Sequence, residues 1–199
     1  MTDPKINSIL DEGNRLFLQR NFEQAIEYYN KILDEDPKHI SSLNNKGYAL
    51  SKLKDFTNAI KYYDIALKIC PDDLSVLINK VSSFRKQGNL IEALLICDNI
   101  LKNNKNYNIA LYHKERILFS MGKFNESISC CNSILEDYPD NGDVLFDKAS
   151  NSAMLSNFDD ALNLLEHAIS QGIQYKIKAK KSKSFENLFD NIRFQNLIS

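Results

Sequence analysis

The chain has 199 residues, 43% of them hydrophobic and 26% charged, with a formal net charge of −1. That balance is ordinary for a soluble globular protein and argues against a dedicated nucleic-acid binder, which carries a strongly basic face. No stretch reaches the roughly 18 uncharged apolar residues of a membrane-spanning helix, and Met1-Thr2-Asp3-Pro4 lacks the basic-then-apolar order of a secretory signal.

In chain order, Ile6 to Leu18 is predicted as a first helix, with apolar Ile9, Leu16 and Phe17 and the small Gly13 facing its neighbour. Gln19-Arg20-Asn21 is a turn. Phe22 to Glu35 forms a second helix, because Phe22, Ala25, Ile26, Tyr29, Ile32 and Leu33 recur at three- and four-residue steps and make one apolar stripe. Pro37 cannot continue that helix. The pattern then repeats. Gly47, Phe56, Ala59, Ile60, Tyr63, Ala66, Leu67 and Pro71 carry the second pair; Val81, Gly88, Leu90, Ala93, Leu94, Ile100 and Leu101 the third, with Lys105 in place of the proline. Glu115, Gly122, Phe124, Ser127, Ile128, Ile134, Leu135 and Pro139 carry the fourth, and Ala149, Phe158, Ala161, Leu162, Leu165, Ala168 and Ile169 the fifth.

One ruler underlies all five pairs. Pro37, Pro71 and Pro139 differ by 34 and by twice 34; Ala25, Ala59, Ala93, Ser127 and Ala161 share the period, as do Phe22, Phe56, Leu90, Phe124 and Phe158. A fixed period of this length means stacked copies of one supersecondary unit. The alanines mark the points where two helices cross too closely for a larger side chain.

These residues resemble the tetratricopeptide repeat, a 34-residue helix-turn-helix unit with a small residue in its first helix, an alanine and an aromatic in its second, and a closing proline. The resemblance covers about residues 6–175, as repeats 6–39, 40–73, 74–107, 108–141 and 142–175. It implies an all-α, right-handed superhelix. The chain departs from the pattern in having no Trp; Leu43, Leu77, Leu111 and Leu145 stand in that slot. Glu115 is out of character in the small-residue slot. Residues 176–199 form a further segment whose Phe185, Leu188, Phe189, Phe194 and Leu197 are expected to cover the apolar face that ends any such stack. Its five lysines, one arginine and two carboxylates give +4, leaving −5 elsewhere.

Catalytic patterns are missing: no glycine-rich phosphate loop, no nucleophile elbow, no paired-histidine zinc motif. Cys70, Cys97, Cys130 and Cys131 show no Cys-x-x-Cys spacing, and adjacent Cys130 and Cys131 point about 100° apart on a helix. They read as small buried side chains in a reducing cytoplasm, without metal or cofactor.

The resemblance implies a binding role, with the first helices of the repeats lining a concave groove for an extended peptide of a partner protein. The expected groove residues are Asn14, Asn44, Asn45, Tyr48, Lys52, Asn79, Arg85, Lys86, Tyr112, Arg116 and Phe119, with Phe146 a further aromatic. Amides both donate and accept, so an asparagine ladder suits a peptide backbone. Lys52, Arg85, Lys86 and Arg116 suit acidic side chains or a C-terminal carboxylate. The chaperone-tail clamp of the family is not reproduced: Asn14 and Asn45 match its asparagines, but Leu10, Ser75 and Asn79 occupy its basic positions. The reading is a non-enzymatic cytoplasmic scaffold that contacts neither nucleic acid nor membrane. The alternatives are self-assembly through the convex face or tail, and contact with RNA or an anionic membrane through the lysine-rich tail.

Overall fold

The 34-residue ruler becomes, in space, an alternation of helices of nearly equal length. The computed structural model describes residues 4–199. Met1, Thr2 and Asp3, on which the leader reading falls, lie outside the described residues. The helices are α1 (Pro4–Leu18), α2 (Phe22–Glu35), α3 (Ile40–Lys52), α4 (Phe56–Ile69), α5 (Leu74–Gln87), α6 (Leu90–Asn103), α7 (Asn108–Ser120), α8 (Phe124–Asp137), α9 (Gly142–Met154), α10 (Phe158–Gln171), α11 (Gln174–Lys181) and α12 (Ile192–Ile198), with a 3-10 helix at Lys183–Leu188. No strand occurs among the described residues. The five ruler positions Phe22, Phe56, Leu90, Phe124 and Phe158 are each the first residue of a helix.

The turn inside each pair has one backbone solution, repeated five times. Arg20, Lys54, Gly88, Gly122 and Ser156 all take φ between 62° and 89° and again lie 34 apart. The left-handed residue lets the next amide reach back to the helix just ended: Asn21 N donates to Leu16 O at 3.0 Å, Asp55 N to Leu50 O at 2.9 Å, and Asn157 N to Ser152 O at 2.9 Å. Between pairs, α3, α5 and α9 are capped at their N-termini by side chains. Asp73 Oδ1 accepts from Val76 N at 3.1 Å and Asn141 Oδ1 from Val144 N at 3.3 Å. His39 Nδ1 accepts from Ser42 N at 3.3 Å, which gives that histidine a structural role.

The chain divides into two compact units, the first ending at Ile96 and the second spanning Cys97–Ser199. In the first, α1 packs on α2, α2 on α3, α3 on α4 and α4 on α5, while α1, α3 and α5 also touch in sequence and so form one layer. In the second, α7 packs on α8, α8 on α9, α9 on α10 and α10 on α11. Ala25, Ala59, Ala93, Ser127 and Ala161 are all fully buried, as expected where helices cross closely.

A second packing rule links the first and second helices of a pair. A Cβ added to Gly47 would lie 2.6 Å from Cε1 of Tyr63, and one added to Gly13 would lie 2.8 Å from Cε1 of Tyr29. Both tyrosine rings are buried. Gly47→Ala is therefore expected to destabilise the protein by about 1–3 kcal/mol, the usual cost of overpacking; urea unfolding measures it, and a change near zero would show that the ring can yield. The same 16-residue offset pairs Glu115 with Cys131 and Ala149 with Leu165. Where the first-helix residue grows, the second-helix partner shrinks.

The tail closes the second unit. Phe185, Leu188 and Phe194 are buried in one cluster with Leu145, Phe146, Leu162, Leu165, Tyr175 and Ala179, and Leu197 packs against it. The 3-10 helix lies on α9, and α12 lies on α10 and α11. Phe189 alone of the expected covering residues remains 40% exposed, with its ring 5.8 Å from that of Phe194.

Candidate functional site

In the first unit, α1, α3 and α5 bring the asparagines together as a bonded ladder. Asn45 Nδ2 donates to Asn14 Oδ1 at 2.8 Å, and Asn79 Nδ2 donates to Asn44 Oδ1 at 2.9 Å. Tyr29 Oη, from α2, also donates to Asn14 Oδ1 at 3.0 Å. Each amide that gives one hydrogen keeps a second, together with its own carbonyl. The ladder is thus held in place while retaining groups for a ligand.

Beside it lies a cavity of about 260 Å³ lined by Asn14, Phe17, Leu18, Tyr29, Asn45 and Tyr48. Phe17 and Tyr48 stack with centroids 5.1 Å apart. Burial raises the Tyr29 hydroxyl to about 12, so it stays a neutral donor. Lys52 extends over the Tyr48 ring, 4.9 Å from its centroid. Lys86 belongs to the same cationic group: burial first, then Lys52, with Arg85 also contributing, pulls its ammonium below the usual value. Like charges gathered in a partly buried place favour an anion between them.

The expected residues of the second unit are arranged differently. Arg116 donates from Nη2 to Asp147 Oδ2 at 3.2 Å and lies over the Tyr112 ring at 4.3 Å from its centroid. Its charge is met within the protein. Phe119 packs edge-on to Phe124 at 5.5 Å. Phe146 is not on a groove wall: it is buried, stacked on Tyr175 at 5.9 Å and set edge-on to Phe185 at 5.6 Å. An apolar cavity of about 340 Å³, lined by Ile109, Tyr112, Ile134, Tyr138 and Val144 among others, lies near the start of α7.

Glu115 is the unusual group here. It is 2% exposed, and Ser127 Oγ donates to its backbone oxygen at 3.1 Å and to Oε1 at 3.2 Å. Burial, reinforced by the nearby Asp147 carboxylate, pushes its carboxyl up to about 7. Cys131 makes the space, with the small Cys131 standing where the first two repeats have tyrosine. The cysteines are free thiols, three of them buried, and burial raises the Cys130 thiol to about 11. No cluster of three or more His, Cys, Asp or Glu suited to a metal occurs among the described residues.

Sequence reasoning missed Tyr29 as a site residue, because its spacing places it in the core stripe of α2; only its hydroxyl reaches the ladder. It also missed Leu18, which ends α1 largely exposed at the mouth of the cavity.

A profile of the tetratricopeptide repeat family matches residues 10–73, the stretch holding Gly47, Phe22, Phe56, Ala25 and Ala59. A tetratricopeptide repeat protein from Parabacteroides merdae has the same fold, with a TM-score of 0.82 at 16% identity over 98% of this chain and 78% of that one. Residues 10–73 match the tetratricopeptide repeat family, and the chain as a whole has the tetratricopeptide solenoid fold. YrrB, a tetratricopeptide protein with an unusual peptide-binding site, aligns with a TM-score of 0.69 at 20% identity, over 87% of this chain and 91% of its own. MamA aligns with a TM-score of 0.72 at 17% identity, over 89% and 96%. At these identities the likeness is one of fold. No curated protein matches the sequence. Tetratricopeptide repeat proteins as a class mediate protein–protein interaction, and no helix among the described residues is long and apolar enough to cross a membrane.

Proposed function

We propose that this tetratricopeptide protein is a non-enzymatic, cytoplasmic adaptor that holds an extended acidic segment of a partner protein against α1, α3 and α5. The supporting observation is the bonded amide ladder of Asn14, Asn44, Asn45 and Asn79 beside the cations Lys52, Arg85 and Lys86. The amides would pair with the peptide backbone, and the cations would take a carboxylate. An apolar peptide side chain would enter the cavity between Tyr29 and Tyr48. A ladder ordered before binding reduces the entropy lost on association. YrrB, with its peptide-binding site, supports the general mode on this fold. On this reading the five repeats run 6–39, 40–73, 74–107, 108–141 and 142–175. Arg116, engaged by Asp147, has a lesser part in it than the sequence suggests.

The test is a display selection of random peptides on the purified protein, followed by affinity measurement. Acidic or C-terminal carboxylate motifs are expected. Asn45→Ala with Asn79→Ala is expected to weaken them at least about tenfold, or about 1.4 kcal/mol, and Lys52→Ala with Lys86→Ala to abolish the preference for acid. Unchanged affinity in the asparagine pair would sink the proposal.

A further inference from the structure

We propose that the outward face of α11, with the lysines that follow it, is a docking surface for an anionic lipid bilayer. One side of this helix is anchored: Tyr175 and Ala179 are buried in the closing cluster. The other side carries Ile173, Lys176, Ile177, Lys180 and Lys181, spaced as one helical face. Ile173 is 67% exposed and Ile177 55%, and Ile192 at the start of the neighbouring α12 is 76% exposed.

The cations on this surface are of two kinds. Lys178 is engaged within the chain, pairing with Asp143 at 2.6 Å and lying 4.8 Å from the centroid of the Tyr175 ring. Arg193 pairs with Glu166 at 2.9 Å, and Lys176 donates to the backbone oxygen of Ser199 at 2.9 Å. Lys180, Lys181 and Lys183 are exposed, with no ion pair among the described residues. The surface therefore presents uncompensated positive charge in a segment of net +4, on a chain whose remainder is −5.

Aliphatic side chains alternating with lysines on a fixed helix match the headgroup boundary of an anionic membrane. The lysines meet the lipid phosphates and carboxylates, and the isoleucines enter the acyl boundary. A single-stranded nucleic acid would want exposed rings on which to stack. Here Phe185 and Phe194 are buried and Phe189, at 40% exposure, lies with its ring against Phe194, whereas Ile173, Ile177 and Ile192 are each more than half exposed. The helix is already ordered by Tyr175 and Ala179, so docking requires no folding step.

The experiment is co-sedimentation of the full chain with vesicles of equimolar phosphatidylcholine and phosphatidylserine, and with vesicles of phosphatidylcholine alone, at low and at physiological salt. Binding is expected to the first and not to the second, and to weaken as salt rises. Lys180→Glu with Lys181→Glu and Lys183→Glu, and separately Ile173→Ser with Ile177→Ser, should each lower the binding constant about tenfold or more. Both variants keep Tyr175 and Ala179, so an unchanged melting temperature shows that the fold survives. No sedimentation with anionic vesicles at low salt would overturn the proposal, as would binding that survives both variants. Dependence on the lysines alone, with equal binding to a single-stranded RNA homopolymer, would also overturn it and reassign the face to general polyanion binding.

Discussion

Phe185→Ala is expected to destabilise the protein by about 3–5 kcal/mol, the range for removing a fully buried phenylalanine from a core that cannot collapse around the gap. The ring is 0% exposed. It meets Phe146 edge-on at 5.6 Å and Phe194 at 5.7 Å, so one substitution breaks both aromatic contacts. The position matters as much as the contact area. In a stack where each repeat touches only its neighbours, stability is close to a sum of repeat and interface terms, and the end repeat has no following unit to cover it. Phe185 supplies part of that cover, so its loss exposes Phe146 and Tyr175 as well as leaving a hole. Urea unfolding followed by circular dichroism measures the change. Phe189→Ala is the control: at 40% exposure it should cost well under 2 kcal/mol. Equal effects at the two positions would mean that the tail is not a closing element.

The repeat fold was legible in the sequence because a period is a statement about contacts. A residue that recurs every 34 positions meets the same neighbours each time, so Phe22, Phe56, Leu90, Phe124 and Phe158 begin a helix at each recurrence. The left-handed turn positions were hidden on the same ruler. Gly88 and Gly122 occupy it openly, but Arg20, Lys54 and Ser156 carry no sign of positive φ in their chemistry. They adopt it because the next helix must start against the previous one.

The site was legible in part. Asn14 with Asn45 and Arg116 with Asp147 are both 31 apart, and both pairs bond across adjacent first helices. Identical register gives opposite outcomes, since two amides leave groups for a ligand whereas a guanidinium and a carboxylate satisfy each other. Arg116 is paired with Asp147, a partner that its own repeat does not reveal. Phe146 was misplaced for a related reason. Its own repeat does not reveal that Tyr175 of α11 and Phe185 of the 3-10 helix bury it.

Glu115→Gln is expected to stabilise the protein by about 3 kcal/mol at pH 8 and to change it little near pH 4. The sign follows from which state holds the proton. The folded carboxyl titrates at about 7 against a reference of 4.5. Between those values the folded chain retains a proton that the unfolded chain has released, so stability falls as pH rises through the window. The loss is complete above pH 7, and a shift of this size corresponds to about 3 kcal/mol. Glutamine never ionises, so the variant should lack most of this slope. Some slope in the same direction should remain, because Asp147 is also raised, burial first, against the opposing pull of Arg116. The hydrogen bonding agrees with a neutral acid. Glu115 Oε2 is buried without a partner, so an ionised carboxylate there would lack a hydrogen bond that its charge requires. Urea midpoints of the two proteins from pH 4 to pH 8 decide the matter, supported by the carboxyl carbon shift of Glu115. Parallel curves would place its titration in the ordinary carboxylate range. The expected divergence would instead make the fourth repeat, where Cys131 and Ser127 admit a carboxyl into the small-residue slot, the part of this stack that loosens as pH rises toward neutrality.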